Sequence, residues 1–498
     1  MRRLLAHVRG WAAERPAAPA VRDESGELDY RTLWQETERL AGALPGDRVG
    51  FLMDNGVPWA VVDLAIQQRG SLGVPMPGFF STTQLEHLIR DADLDLVVTD
   101  RPERVARLLP GSPMRSTSVA GRGVWLFERG PQVAPQVPLV PPGTAKVTYT
   151  SGTTGTPKGV CLGGDGIEQV VVSLCGAVAA TPGDRPLSLL PLSTLLENIG
   201  GLYAPLYVGA CAQVPALATC GVDGSSGLRP GALFEALWQY APTSLILVPQ
   251  LLKVITEGVA AGLPRPSALR FVAVGGAPVS PALLERARGL GLPAYLGYGL
   301  SEAVSVVALS LPGADRPGSV GRPLPGVRVS VTAGGELVVH DRLFLGYLGG
   351  SAPPPEGWRT GDLGYLDAEG FLYLTGREKT AYATAFGRNV APEWVESELT
   401  GHPLIAQAAV FGEARPFNVA VIVPRGPATP AEVGAAMRWV GSRLPDYARV
   451  GGWVLADEPF TAANGLATGA GSLRRDAIGA RYHARIEAIY EEDRRAVL

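Results

Sequence analysis

The chain has 498 residues, too many for one ordinary core, and at roughly 150 residues per domain the length favours about three units. Hydrophobic residues make up 46% and charged residues 18%, which excludes a disordered chain. A net charge of -3, with arginines scattered rather than clustered, gives no electrostatic reason to expect nucleic acid or an anionic membrane as a partner.

The opening MRRLLAHVRGWAAERP reads as a first helix, because His7, Arg9, Glu14 and Arg15 interrupt the apolar core that a signal peptide needs. DRVGFLM (47–53) reads as a strand, WAVVDLAIQQRG as a helix, LGVPM as a short strand and DLDLVVTD (93–100) as another strand. That alternation predicts α/β layers. No stretch reaches the roughly 20 uninterrupted apolar residues of a membrane span. Cys161, Cys175, Cys211 and Cys220 form no C-x-x-C pair and have no histidines at metal-ligand spacing. They read as small apolar core residues in a reducing compartment, so a cytoplasmic enzyme is expected. FVAV (from 271) is a buried strand, GGAP a turn, and SPALLERARGLG a helix with Ser280 placed to cap its free amides and Pro281 in the first turn. From about residue 327 hairpins take over, in VRVSVTAGGELVVH and GYLDAEGFLYLTG, with a surface turn at PPPEG (353–357). The tail holds a strand pair in AQAAVFGEARPFNVAVIVP, a helix after Pro430 and a helix near the C-terminus.

The segment with the most chemistry is YTSGTTGTPKGV (149–160). The strand TAKVTYT (144–150) runs directly into Ser151, Gly152, Thr153, Thr154, Gly155, Thr156, Pro157, Lys158 and Gly159. Glycines let the backbone amides approach an anion, the hydroxyls add neutral donors, and Lys158 supplies a full charge, which suits a triphosphate. The loop is not a Walker motif, since Pro157 stands in place of the Gly before Lys and Gly159 in place of the Ser or Thr after it.

This loop resembles the signature of the adenylate-forming superfamily of acyl-CoA synthetases, adenylation domains and luciferases. Further segments follow in that family's order. YLGYGLSEA (295–303) resembles its Tyr-Gly-x-Thr/Ser-Glu motif, with Tyr298 implied on adenine, Gly299 and Ser301 alongside, and Glu302 on Mg2+. Thr150 is implied as a second metal contact. Gly276, Ala277 and Pro278 resemble the segment bordering adenine, Asp362 in GWRTGDLGYLD the ribose-binding Asp, and Arg377 in TGREK the second ribose contact. LLPLSTLLENIGG (189–201) resembles the Leu-Pro-Leu-x-His-x-x-Glu segment of long-chain acyl-CoA synthetases, which implies Thr194 and Glu197 in an acyl pocket, and SLILVPQLL (244–252), with Pro249, adds an aliphatic wall. No Asp lies nearby to pair with the ammonium of an amino acid, and an apolar, fatty carboxylate fits better.

The resemblance implies a large multi-layer α/β N-terminal domain with a small barrel-like subdomain (1–376), a hinge at 377–380 containing Lys379, and a small mobile α+β C-terminal domain (381–498). It implies ATP, Mg2+ and CoA, or a carrier-protein phosphopantetheine arm, as reactants. The partners are then a small carboxylic acid and CoA, with an acyl carrier protein as the alternative. Gly387 in GRNVAPEWVESEL matches the glycine lining the family's pantetheine tunnel. There is one departure. Long-chain members end a segment like NGLLTPTxK in a lysine that reaches the carboxylate and α-phosphate, and NGLATGAGSLRR (464–475) puts Ser472 at that position. Arg474 and Arg475 are the nearest cations, and Arg474 is the implied surrogate. The alternatives are an enzyme acting mainly on a preformed acyl-adenylate and a non-catalytic binder of nucleotide or acyl-adenylate.

Overall fold

Short apolar strands buried on both faces need helices on both sides, and most of the chain is arranged that way. A computed structural model describes residues 1–130, 140–150, 157–223, 227–384, 389–469 and 471–497. Among these, an eight-stranded sheet runs in the order Gly346–Tyr347, Lys158–Gly163, Thr144–Thr150, Leu72–Pro75, Arg48–Leu52, Leu96–Thr99, Arg122–Glu128, Met114–Val119. Its centre is parallel: Leu72–Pro75 pairs in parallel with both Arg48–Leu52 and Thr144–Thr150, and Arg48–Leu52 with Leu96–Thr99. A nine-stranded sheet has a parallel core of Ala294–Leu300, Phe271–Val274, Ser244–Leu247, Pro186–Leu187 and Ala212–Gln213.

The helix Val57–Arg69 is buried at every residue from Val57 to Gln67. A helix that is apolar all round is a core helix, and this one carries one charge inside, Asp63. Its partner is Lys146, in the middle of Thr144–Thr150. The Lys146 ammonium donates to Asp63 Oδ1 at 2.8 Å, Asn198 Oδ1 at 2.6 Å and Tyr203 Oη at 2.7 Å, and the Tyr203 hydroxyl donates to Asp63 Oδ2 at 2.5 Å. Lys146 is 1% exposed and Asp63 0%. Asn198 and Tyr203 bound a π-helical segment, Asn198–Tyr203.

The hairpin region forms a four-stranded antiparallel sheet, Val329–Val331, Glu336–Val339, Trp358–Leu366 and Leu372–Arg377, where the barrel-like subdomain is expected. Beyond it, Ile405–Phe411, Asn418–Pro424 and Val450–Leu455 make a separate sheet. Helices Pro392–Gly401 and Pro430–Gly441 pack against one face, while Arg475–Val497 joins Phe460 and Leu466 in a second cluster. The four cysteines are buried, as their surroundings in sequence suggest.

One local expectation fails. Pro281 begins its helix, but the Ser280 side chain makes no cap bond and finds no partner among the described residues. Its hydroxyl is turned instead toward Gly401, where a Cβ would stand 2.4 Å from Ser280 Oγ.

Removing one partner of a buried ion pair leaves the other charge stranded. Lys146→Met is therefore expected to lose about 3–5 kcal/mol of stability, and the apolar pair Lys146→Met with Asp63→Leu to recover most of it. Thermal and urea midpoints check this, and a single variant as stable as the parent would contradict it.

Candidate active site

The phosphate-loop strand and its successor pair antiparallel, with Thr150 directly opposite Lys158. The two strands therefore form a hairpin. Ser151, Gly152, Thr153, Thr154 and Gly155 lie outside the described residues, as does Gly387. The base of the hairpin is held from one side. His87 Nε2, on the helix Thr82–Asp91, lies 3.0 Å from the Pro157 carbonyl oxygen, and Tyr149 donates to Asp91 at 2.7 Å.

Lys158 is exposed, and its ammonium stands 5.5 Å from the ring centroid of Tyr347. The Tyr347 hydroxyl donates to Glu302 Oε1 at 2.7 Å. One tyrosine thus touches both the loop cation and the carboxylate expected to face a metal. Tyr347 is placed by the strand Gly346–Tyr347, which pairs with Val160 and Cys161, and by edge contacts of Phe344 with Tyr347 at 5.1 Å and with Trp358 at 4.8 Å. Glu302 sits in a tight turn, Ser301–Ala303, followed by Val304 at φ 53° and Ser305 at φ 87°. A buried valine in the left-handed region is strained backbone, of the sort that persists where surrounding structure fixes a functional residue. Gly299 is needed here, since a Cβ would lie 1.8 Å from the Ser305 carbonyl oxygen.

On the other side of that turn, the Tyr298 hydroxyl donates to Asp362 Oδ2 at 2.7 Å, and Arg377 Nε lies 2.8 Å from Asp362 Oδ1. Asp362 and Arg377 are cross-strand partners, so their sheet sets this spacing. Burial, with the Asp362 carboxylate beside it, pushes the Tyr298 phenol well above its usual range, so it remains a donor. Gly276, Ala277 and Pro278 are exposed at the end of the strand Phe271–Val274, with Gly276 at φ +79°. Gly275 approaches so closely that a Cβ would meet the Gly297 carbonyl oxygen at 2.9 Å. Lys379 is exposed in the turn after Arg377.

Of the expected acyl-pocket residues, Thr194 donates to the Pro191 carbonyl at 2.7 Å and Pro249 opens the helix Pro249–Ala260. Glu197 is fully enclosed, 1% exposed, and its Oε2 has no hydrogen-bond partner among the described residues. Burial pushes its carboxyl up to about 8, offset in part by the neighbouring Ser188 hydroxyl. Glu197 is therefore a neutral acid at pH 7.

Ser472 sits in a small hairpin where the Thr468 amide donates to the Ser472 carbonyl at 2.8 Å and the Ser472 amide to Thr468 Oγ1 at 3.1 Å. The two arginines after it separate clearly. Arg475 is committed to Glu396, Glu393 and the Val410 carbonyl. Arg474 is exposed and makes no ion pair among the described residues. The same hairpin reaches the phosphate side: a Cβ on Gly469 would lie 3.1 Å from the Phe79 carbonyl oxygen, just before the helix that carries His87.

Residues 8–348 match the AMP-binding enzyme family, and residues 382–494 match the AMP-binding enzyme C-terminal domain. The chain belongs to the AMP-binding enzymes. A long-chain-fatty-acid–CoA ligase of Mycobacterium bovis, FadD15, is 28% identical over 91% of this chain and 89% of its own. A fatty acid–[acyl-carrier-protein] ligase of Streptomyces coeruleorubidus, ScoC, is 28% identical over 80% and 82%. The anthranilate CoA ligase AuaEII, solved with anthranoyl-AMP, shares the fold at a TM-score of 0.79, with 18% identity and 96% of both chains covered. The protein is an AMP-forming acid–thiol ligase, and its family-level chemistry is ATP-dependent acyl-adenylate formation followed by thioester formation. No helix among the described residues is long and apolar enough to cross a membrane.

Tyr347 is absent from the sequence reading, because only the long-range pairing of Gly346–Tyr347 with the phosphate-loop strand brings it to the site. Lys146 had a visible signal, a lysine inside an otherwise uncharged strand.

Two outcomes follow for this AMP-binding enzyme. Tyr347→Phe removes a hydrogen bond to a charged group, a change of about 1.5–3 kcal/mol, and should lower acid-dependent ATP–pyrophosphate exchange by roughly tenfold or more while leaving the fold intact. Glu197 retains its proton in the folded state after the unfolded chain has lost it. Stability should therefore fall as pH rises from about 4.5 toward 8, by about 1.4 kcal/mol per pH unit for this one proton. Glu197→Gln should flatten that slope in urea titrations across pH, and an unchanged slope would contradict it.

Proposed function

We propose that this enzyme activates an apolar, fatty carboxylic acid with ATP and Mg2+, and passes the acyl group to the pantetheine thiol of CoA. The reading rests first on Tyr347, which touches both Lys158 and Glu302. That contact links a cation and a carboxylate through one tyrosine at the base of the hairpin. In the first half-reaction a carboxylate oxygen attacks the α-phosphorus and pyrophosphate leaves. The protein's task is to hold two anions that repel each other and to neutralise charge as it builds on the phosphates. Lys158 does this directly. Glu302, with the Thr150 hydroxyl, offers the one or two oxygen ligands by which Mg2+ is usually held when substrate phosphates complete its shell. No group of three or more His, Cys, Asp or Glu stands ready for a metal among the described residues, which fits a cation that arrives with ATP. Tyr298, Asp362 and Arg377 are assigned to the adenosine, with Gly276, Ala277 and Pro278 along its edge. In the second half-reaction the thiolate attacks the acyl carbonyl and AMP leaves. We assign residues 1–376 to the N-terminal domain, 377–380 with Lys379 to the hinge, and 381–498 to the mobile domain carrying Gly387.

The acid is assigned as fatty because LLPLSTLLENIGG and SLILVPQLL supply aliphatic walls and Glu197, being neutral, offers no counter-charge. Arg474 is assigned the role of the absent lysine, since Arg475 is held by Glu396 and Arg474 is not. A second reading, in which the enzyme acts mainly on a preformed acyl-adenylate, draws on Ser472 itself, which carries no charge to bridge two anions.

ATP–pyrophosphate exchange with a panel of fatty and aromatic acids tests both. Exchange strongest with fatty acids is expected, lowered by about 100-fold or more in Lys158→Ala and by a comparable factor in Arg474→Ala. Ser472→Lys should raise it. Exchange only with aromatic acids would overturn the fatty assignment. No exchange with any acid, alongside thioester formation from a synthetic acyl-adenylate and CoA, would establish the second reading.

A further inference from the structure

The end of the helix Pro392–Gly401 is held by the large domain in two unusual ways. Lys253, on the helix Pro249–Ala260, is 5% exposed and yet faces no carboxylate within ion-pair distance among the described residues. Its ammonium donates to three backbone carbonyls of the smaller domain: Thr400, His402 at 3.4 Å and Ile405 at 3.2 Å. Thr400 lies in the last turn of the helix, whose carbonyls lack intrahelical partners and where a cation is favoured by the helix dipole, His402 caps that helix and Ile405 opens the next strand. Burial pulls the Lys253 ammonium down to about 8, with Glu257 opposing that shift and Arg425 and Arg286 adding to it. Beside it, Ser280 Oγ gives up its cap position and leans into the space that Gly401 leaves empty.

Two long ion pairs flank the contact, Arg425 with Glu257 at 3.9 Å and Arg443 with Glu285 at 4.0 Å. Next to it a cleft of about 470 Å³ separates the two parts, lined by Glu257 and Arg286 on one side and Pro403, Trp439 and Arg443 on the other. An interface made of a few polar contacts beside an open cleft is the kind that can part, unlike a continuous apolar core. In the arrangement it fixes, the hairpin bearing Ser472 approaches Phe79 on the phosphate side.

We propose that Lys253 and the Ser280–Gly401 contact form a seat for the end of the helix Pro392–Gly401, and that this seat positions the C-terminal domain for the adenylation half-reaction. The proposal rests on the two-step reading above. Lys253 and Ser280 are positioning residues: they touch neither nucleotide nor acid, and act by setting where the Ser472–Arg474 hairpin stands. Leaving the seat costs three hydrogen bonds to a charged donor, while the ammonium regains water. Seated and unseated states can thus lie close in free energy, as a reversible rotation requires.

Three variants test the seat. Lys253→Met removes the donor. Gly401→Ala adds a Cβ that would meet Ser280 Oγ at 2.4 Å and Ser280 Cβ at 3.0 Å, although alanine itself favours the helix. Gly401→Ala combined with Ser280→Gly removes the clash again, and glycine is tolerated at a helix N-cap. Spin labels at Met114→Cys and Tyr447→Cys, both exposed, report the inter-domain distance without interference from the four buried native cysteines. The parent should show one dominant distance, both single variants a shifted or broadened distribution, and the double variant the parent's. Acid-dependent exchange should fall by about 10- to 100-fold in the single variants, thioester formation from a synthetic acyl-adenylate should not, and the double variant should recover exchange. Unchanged distances in both single variants, or parallel loss of both half-reactions, would overturn the seat. If the parent shows no exchange with any acid, the adenylation reading fails, and the distances still decide whether the seat exists.

Discussion

A lysine ammonium closed inside the protein has to be answered on every side, and Lys146 is. Asp63, Asn198 and Tyr203 take its three protons, and Tyr203 and Asn198 bond in turn to Asp63. Burying this pair adds little stability over an apolar filling. Its effect is geometric, because the network has only one fully satisfied arrangement. Lys146 lies four positions before Thr150 on the strand that opens the phosphate hairpin, Asp63 on the central buried helix, and Asn198 and Tyr203 on the segment after Glu197. The hairpin assigned to the nucleotide phosphates and the wall assigned to the acid are thereby registered to each other by buried side chains.

The rest of the site hangs from that frame in a consistent way. Pro249 and Gly276 stand just past the ends of adjacent strands of the nine-stranded sheet and Tyr298 lies in the next strand, so the residues assigned to adenosine and to the acid stand near one end of these strands. The four-stranded sheet contributes Asp362 and Arg377 as a cross-strand pair, and the Tyr298–Asp362 bond ties that sheet to the large one. Tyr347 ties the eight-stranded sheet to the Glu302 turn. Each junction includes a side-chain hydrogen bond between elements far apart in sequence, and the Phe344 amide adds a bond of 2.8 Å to the Glu302 carbonyl. The positive φ at Val304 is the local cost of aiming Glu302 at one of them.

This explains which parts of the site were legible in the sequence. Strand and helix order, the phosphate loop and the hairpins could be read because local pattern specifies them: apolar alternation, glycine turns and a lysine at a strand end. Ser280 was read as a cap because N-cap preference is also local, and it failed because Gly401, more than a hundred residues away, leaves a space that the serine side chain faces. Tyr347 and Lys253 gave no local signal at all. A tyrosine after glycine and a lysine among leucines acquire meaning only when a distant strand or a distant helix end comes to meet them. Glu197 falls between these cases: its segment stands out in the sequence, but the raised pKa of its carboxyl follows from an enclosure that no short window reveals.

The same contrast bears on the serine where a lysine is expected. Two arginines follow it, and sequence spacing treats them alike. Arg475 opens the last helix and closes on Glu396, a buried carboxylate that also accepts from the Val410 amide at 2.7 Å. That pair joins the helix Pro392–Gly401 to the last helix, and moving Arg475 into an active site would strand Glu396 in a low-dielectric interior. Arg474 holds the end of the hairpin through its backbone, its amide donating to the Leu466 carbonyl at 2.9 Å, and its exposed guanidinium makes no ion pair among the described residues. An arginine is planar and longer than the serine it would serve, and it binds carboxylate and phosphate through paired donors rather than as a point charge. If it reaches the α-phosphate, the hairpin must stand slightly farther from the nucleotide than a lysine-bearing one would. Placement of the whole C-terminal domain then matters more here than in relatives with the lysine, because a side chain that grips two anions through a rigid fork tolerates less error in the position of its backbone.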